Sequence, residues 1–76
     1  MERLTNTDLR TARRILGLSG QELAGRLNVR ADTLRRWESG RDDIPYRVRE
    51  ELAAIAAERA ESIATLAAAL ASGEDI

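Results

Sequence analysis

Cysteine and histidine are both absent from this 76-residue chain. That removes disulfides, thiolate chemistry, the usual zinc sites and the usual general base at neutral pH. Phenylalanine is missing too, and Trp37 and Tyr46 are the only aromatics. A core must therefore be built from Leu, Ile, Val and Ala, which points to packed helices. No run approaches the ~20 apolar residues of a membrane span. Arg3, Asp8, Arg10, Arg13 and Arg14 break up anything that could read as a signal peptide. A soluble cytoplasmic protein is the expectation. Asp42–Asp43 and Glu50–Glu51 are adjacent carboxylates, with no companion that would make either pair catalytic or metal-binding. An enzyme is not expected, nor a cofactor, a metal or a small-molecule effector.

The net charge of −1 hides a division. Residues 1–41 hold nine arginines against five acids, and residues 42–76 hold three against eight. A basic half joined to an acidic half is the asymmetry expected when only one end faces phosphate. The acidic half also reads as plain helix solvation.

Ser19 to Gly40 carries the strongest local pattern. Ser19 and Glu22 have capping-box spacing, and Leu23, Ala24 and Leu27 follow at helical intervals. Asn28 tolerates the left-handed conformation of a sharp helix exit, and Val29 is a buried anchor in the turn. A further helix begins near Ala31, buries Leu34 and Trp37, and stops at Gly40. Its outer side carries Arg30, Asp32, Thr33, Arg35 and Arg36, a surface of long donors suited to a major groove.

Around this pair, Met1–Asn6 reads as a disordered lead, with Asn6 or Thr7 capping a first helix. Leu9, Ala12 and Leu16 form that helix's apolar stripe, and Gly17 ends it. Pro45 is placed at a first helical position. From there Val48, Leu52, Ile55, Arg59, Ile63, Leu66 and Leu70 recur at spacings of 4, 3, 4, 4, 3 and 4. One helix of ~26 residues would reach about 39 Å, with Gly73 as its stop and Glu74–Ile76 as a frayed end. A break at Glu58–Glu61 is the alternative. The reading is thus a helix-turn-helix core over 1–44, with helices near 7–16, 20–27 and 31–38, and a C-terminal helix or helices over 45–72. The first half of this helix closes the core of the first three, and its second half, with Ile63, Leu66 and Leu70, has no partner left in the chain. Leu52, Ile55, Arg59, Ile63, Leu66 and Leu70 are the expected dimerisation stripe, unless the helix folds back on its own chain.

Leu9–Pro45 resembles the helix-turn-helix domain of the lambda-repressor/Cro (XRE-type) family of transcription regulators. The matching residues include Leu9, Arg13, Gly17, Leu18, Ser19, Glu22, Leu23, Ala24, Leu27, Val29, Leu34, Trp37, Glu38, Gly40 and Pro45. The Trp37–Arg41 string, Pro45 and the long helix ending in Ala-Ser-Gly-Glu are also similar to small regulators encoded beside anti-CRISPR genes. The first resemblance implies an all-α bundle of four to five helices whose second and third helices face DNA. It also implies that Arg13 and Glu38 lie close together as a structural ion pair. The usual Gln-rich reading positions are occupied here by Arg30, Ala31 and Asp32, so no operator sequence carries over.

The residues expected at DNA are therefore Arg30, Ala31, Asp32, Thr33, Arg35 and Arg36, with Ser19, Gln21, Ser39 and Arg41 at flanking phosphates. Asp32 accepts from a cytosine amino group, or else orients Arg35 or pairs with Arg36 along the helix. The expected function is a sequence-specific regulator, most readily a repressor, binding an inverted-repeat operator in double-stranded DNA as a homodimer. The competing readings are an antitoxin-like module whose C-terminal helix grips a partner protein, and a fold used only for protein contact.

Overall fold

The computed structural model of the chain describes residues 3–73. Met1 and Glu2 of the expected lead, and the expected frayed end Glu74–Ile76, lie outside the described residues. Among those described there are four helices and no strand: α1 (Asn6–Leu16), α2 (Gly20–Arg26), α3 (Ala31–Glu38) and α4 (Arg47–Ser72). The bundle has four helices because the last runs unbroken through Glu58–Glu61.

Each helix start follows from a short polar residue or its absence. Thr5, not Asn6 or Thr7, caps α1, its hydroxyl accepting from the Asp8 amide at 3.0 Å. A cap must reach the amide three residues on, and Thr5 meets that spacing. Asn6 is used otherwise, donating to the Glu38 carbonyl at 3.4 Å and tying α1 to the end of α3. Arg3 is also engaged, paired with Asp43 at 2.8 Å and stacked over the Tyr46 ring. Ser19 and Glu22 form both arms of the capping box of α2. Pro45 lies two residues before α4, where its carbonyl accepts from Val48.

The exits of α1, α2 and α3 share one device. A residue at positive φ (Gly17, Asn28 or Gly40) reverses the chain. The next amide then reaches back five residues: Leu18 to Arg13, Val29 to Ala24 and Arg41 to Arg36. Only Asn28 does this with a side chain, at φ 58°.

The stripes of the four helices meet in one apolar core. Leu9, Leu23, Leu27, Leu34 and Val48 are fully enclosed, with Leu16, Ala24, Trp37, Ile44, Leu52 and Ile55 around them. Val29 is only half-buried at the edge of this core. Leu52 and Ile55 were expected on an intermolecular stripe; they are instead spent inside their own domain, 7% and 8% exposed. Arg59 turns toward its own domain as well, its Nη2 lying 3.6 Å from where a Cβ would stand on Gly17. Beyond Ile55 no described residue of α4 is buried, and Ile63, Leu66 and Leu70 stand 40–61% exposed.

The capping box gives a pH-dependent contribution. Glu22 accepts from the Ser19 amide at 2.8 Å. That bond, then the Ser19 hydroxyl, holds its carboxyl below the ordinary 4.5, against a smaller opposing effect of burial. A depressed folded-state pKa stabilises above the unfolded value and is lost as pH falls through the folded one. The melting-temperature gap between the native chain and Glu22→Gln is therefore expected to be full at neutral pH and to narrow below pH 4.5. A constant gap across that range would show that Glu22 acts only as an uncharged acceptor.

Candidate nucleic-acid interface

At 100° per residue, Asp32, Arg35 and Arg36 fall within an arc of about 100° on α3. Leu34 and Trp37 occupy the opposite side, 2% and 5% exposed. The inner pair anchors the helix in the core, so the outer three must face solvent, and all three are exposed. Arg30 occupies the N-cap of α3 in extended backbone, without a side-chain capping bond. It is exposed, while Ala31 and Thr33 are half-buried.

Two shallow depressions flank this arc. One, of about 410 Å³, is lined by Asp32, Arg35, Arg36, Ser39 and Arg41. The other, of about 370 Å³, joins Ser19 and Gln21 at the start of α2 to Ala31 and Arg35 of α3. Arg35 belongs to both. The structure thus gathers eight of the ten residues expected at DNA onto one continuous face and leaves Arg30 and Thr33 beside it. Three guanidinium groups (Arg35, Arg36, Arg41) stand there, with Arg30 beside them, against the carboxylates of Asp32 and Asp42. Every basic side chain of the chain is an arginine, so all of this charge is offered as planar forks.

The acids do not pair as helical spacing alone suggests. Asp32 reaches Arg35, at 3.4 Å, and not Arg36. Arg36 turns to Asp42, its Nε donating to Oδ2 at 2.8 Å. In the sequence Asp42 stands out only as half of an adjacent carboxylate pair with Asp43. The signal for its pairing was Gly40, because a reversal there returns the following residues to the last turn of α3. At the start of α2 the capping box already occupies the Ser19 hydroxyl and amide, and it adds the Glu22 carboxylate. The Gly20 and Gln21 amides, which have no partner in that box, are the donors left for a phosphate.

The arc is held from behind by an ion pair. Arg13 donates through Nε to Glu38 Oε2 at 2.8 Å and through Nη2 to Oε1 at 3.1 Å. A third donor, Nη1, reaches the Leu18 carbonyl at 3.3 Å. The hydrogen bond to Glu38 holds the Arg13 guanidinium above its ordinary pKa, with burial opposing. The fork joins α1 to the end of α3, and so fixes how α3 presents its outer face.

The family model described as Aca2/YdiL-like matches residues 4–74, nearly the whole chain. The chain belongs to the Aca2/YdiL-like family. This membership supports the resemblance to anti-CRISPR-associated helix-turn-helix regulators, and it points to a small regulatory DNA-binding protein. No curated protein matches the chain. No helix among the described residues is long and apolar enough to cross a membrane. In this Aca2/YdiL-like chain, the outer face of α3 and its two depressions bring exposed guanidinium groups and the start of α2 onto one surface.

Proposed function

We propose that this member of the Aca2/YdiL-like family is a repressor that binds an inverted-repeat operator in double-stranded DNA as a homodimer. Each α3 lies in a major groove, the two about one helical turn apart. Repression follows from occupying a promoter, its own included. The observation that carries this reading is the exposed arc of Asp32, Arg35 and Arg36 on a helix whose other side is locked into the core. Arg41 and the open amides of Gly20 and Gln21 supply phosphate contacts on either flank. The exposed Ile63, Leu66 and Leu70 supply the second copy's contact.

The test is selection from a pool of duplexes randomised over about two helical turns, followed by titration of the winner against salt. Two inverted half-sites are expected. With about three phosphates neutralised per subunit, the log–log salt slope of a dimer is expected near −5. A selected sequence without two-fold symmetry would sink the homodimeric reading, and a slope near zero would sink the groove-facing one. Co-purification of α4 with a different chain in place of a second copy would favour the antitoxin-like reading.

A further inference from the structure

Among the arginines on this face, Arg36 alone is held by a carboxylate from outside its own helix. The hold is built into the backbone. The Arg36 carbonyl accepts from the amides of Arg41 at 3.0 Å and Asp42 at 3.3 Å, and from the Ser39 hydroxyl at 3.1 Å. These bonds fold the loop back over the last turn of α3. The reversal needs Gly40 at φ 82°, and a Cβ there would stand 3.6 Å from the side-chain amide nitrogen of Asn6. The loop is thus tied to the last turn of α3, and Asp42 is delivered to one side of Arg36.

Which nitrogen Asp42 takes decides what remains. It accepts from Nε, the nitrogen nearest the stem. Both terminal nitrogens then point onward together, the end-on fork that matches guanine O6 and N7 in the major groove. Arg35 is held differently, through a terminal nitrogen and at 3.4 Å, so its fork is partly consumed. Arg30 and Arg41 have no carboxylate partner among the described residues.

We propose that Asp42 is a positioning residue for base reading, holding Arg36 by Nε so that its two terminal nitrogens read a guanine. The proposal rests on the reading that α3 enters a major groove, and it deepens that reading by naming the base and the residue that sets it. Asp42 touches no base itself. It removes rotational freedom from a guanidinium that is otherwise half in solvent, so the cost of ordering the side chain is met before DNA arrives.

The test repeats the randomised-duplex selection with single and double variants, and reads base preference position by position. The native chain is expected to select one guanine per half-site that Arg36→Ala ceases to select. Asp42→Ala is expected to lower the guanine preference at that position about tenfold, and to leave the other positions and the melting temperature unchanged. Asp42→Asn keeps an oxygen for Nε and is expected to retain most of the preference. In an Arg36→Lys background, which has no Nε, Asp42→Ala is expected to change nothing at that position. A uniform gain in affinity for all duplexes on Asp42→Ala would overturn the proposal, because the carboxylate would then only repel phosphate. Guanine preference lost in Arg36→Ala but intact in Asp42→Ala would overturn the positioning role alone. A selected sequence indifferent to Arg36→Ala would overturn the groove-facing reading together with it.

Discussion

Replacing Leu66 and Leu70 with glutamate is expected to yield a particle of 8.4 kDa in place of a dimer, and to weaken operator binding about 10²–10⁴-fold. Two linked heads bind with the second event intramolecular, and a monomer forfeits that gain without losing a single base contact. The substitutions sit where folding tolerates them. Both side chains are exposed, at 40% and 61%, and lie well beyond Ile55, the last buried residue of α4. Glutamate is also a good helix former, so α4 persists. A leucine at such exposure has little to lose in the monomer, yet three apolar side chains at i, i+3 and i+7 leave one face of the rod unpartnered. Light scattering behind a sizing column reads the mass, and a duplex titration reads the affinity. A native chain that is already monomeric at micromolar concentration would remove the basis for this result.

Truncating Glu38 is the second large effect, and it falls on stability. The carboxylate is 13% exposed and its partner Arg13 25% exposed, so both have left most of their water behind. Glu38→Ala leaves the half-buried Arg13 guanidinium with the Leu18 carbonyl as its remaining partner, an expected loss of about 2–3 kcal/mol. A domain of this size holds roughly 3–5 kcal/mol in all, so a large share of molecules would unfold. Glu38 also stands in the last turn of α3, where the helix dipole disfavours an anion. Only the fork from Arg13 offsets that. Glu38→Gln, which keeps the acceptor and drops the charge, is expected to lose about half as much. Urea melts of the three proteins measure the difference, and an unchanged midpoint in Glu38→Ala would show that the pair contributes specificity without stability.

The local rules were legible in the sequence because they are local. Ser19 with Glu22, Asn28 at a helix exit, and Gly17 and Gly40 as stops all concern residues within one turn of each other, and each is found in that role. The all-helical class follows from the same signals. The outer face of α3 is also a matter of period, since Leu34 and Trp37 fix the buried side and leave Asp32, Arg35 and Arg36 opposite. Long-range choices were legible only in part: the first half of α4 was readable as closing the core, but not the residue at which its burial ends. Leu52, Ile55, Ile63, Leu66 and Leu70 lie on one stripe with one period, and nothing in that period says where the domain stops covering it. The size of the three-helix core decides, and it ends the burial at Ile55. The partner of Arg36 was ambiguous for a related reason. Asp32 is nearer along the helix, but the reversal at Gly40 brings Asp42 closer in space. Thr5 is masked as a cap by Asn6 and Thr7, which offer the same chemistry one and two residues on, and the fold uses Asn6 for the Glu38 carbonyl instead.

The unbroken α4 also has a mechanical meaning. Between Arg47 and Ser72 there is no glycine and no proline, so the rod has no hinge. Its outer part, from Ile55 to Ser72, is a lever arm of about 26 Å. A tilt of about 10° at its root would carry the tip by some 4–5 Å, more than half the rise of a helical turn. The salt bridge from Arg26 to Glu58, at 2.8 Å, braces that root against α2. For a particle joined through two such arms, the distance between reading heads is a property of stiffness, and an operator whose half-sites are moved apart by even one base pair must bend to be held.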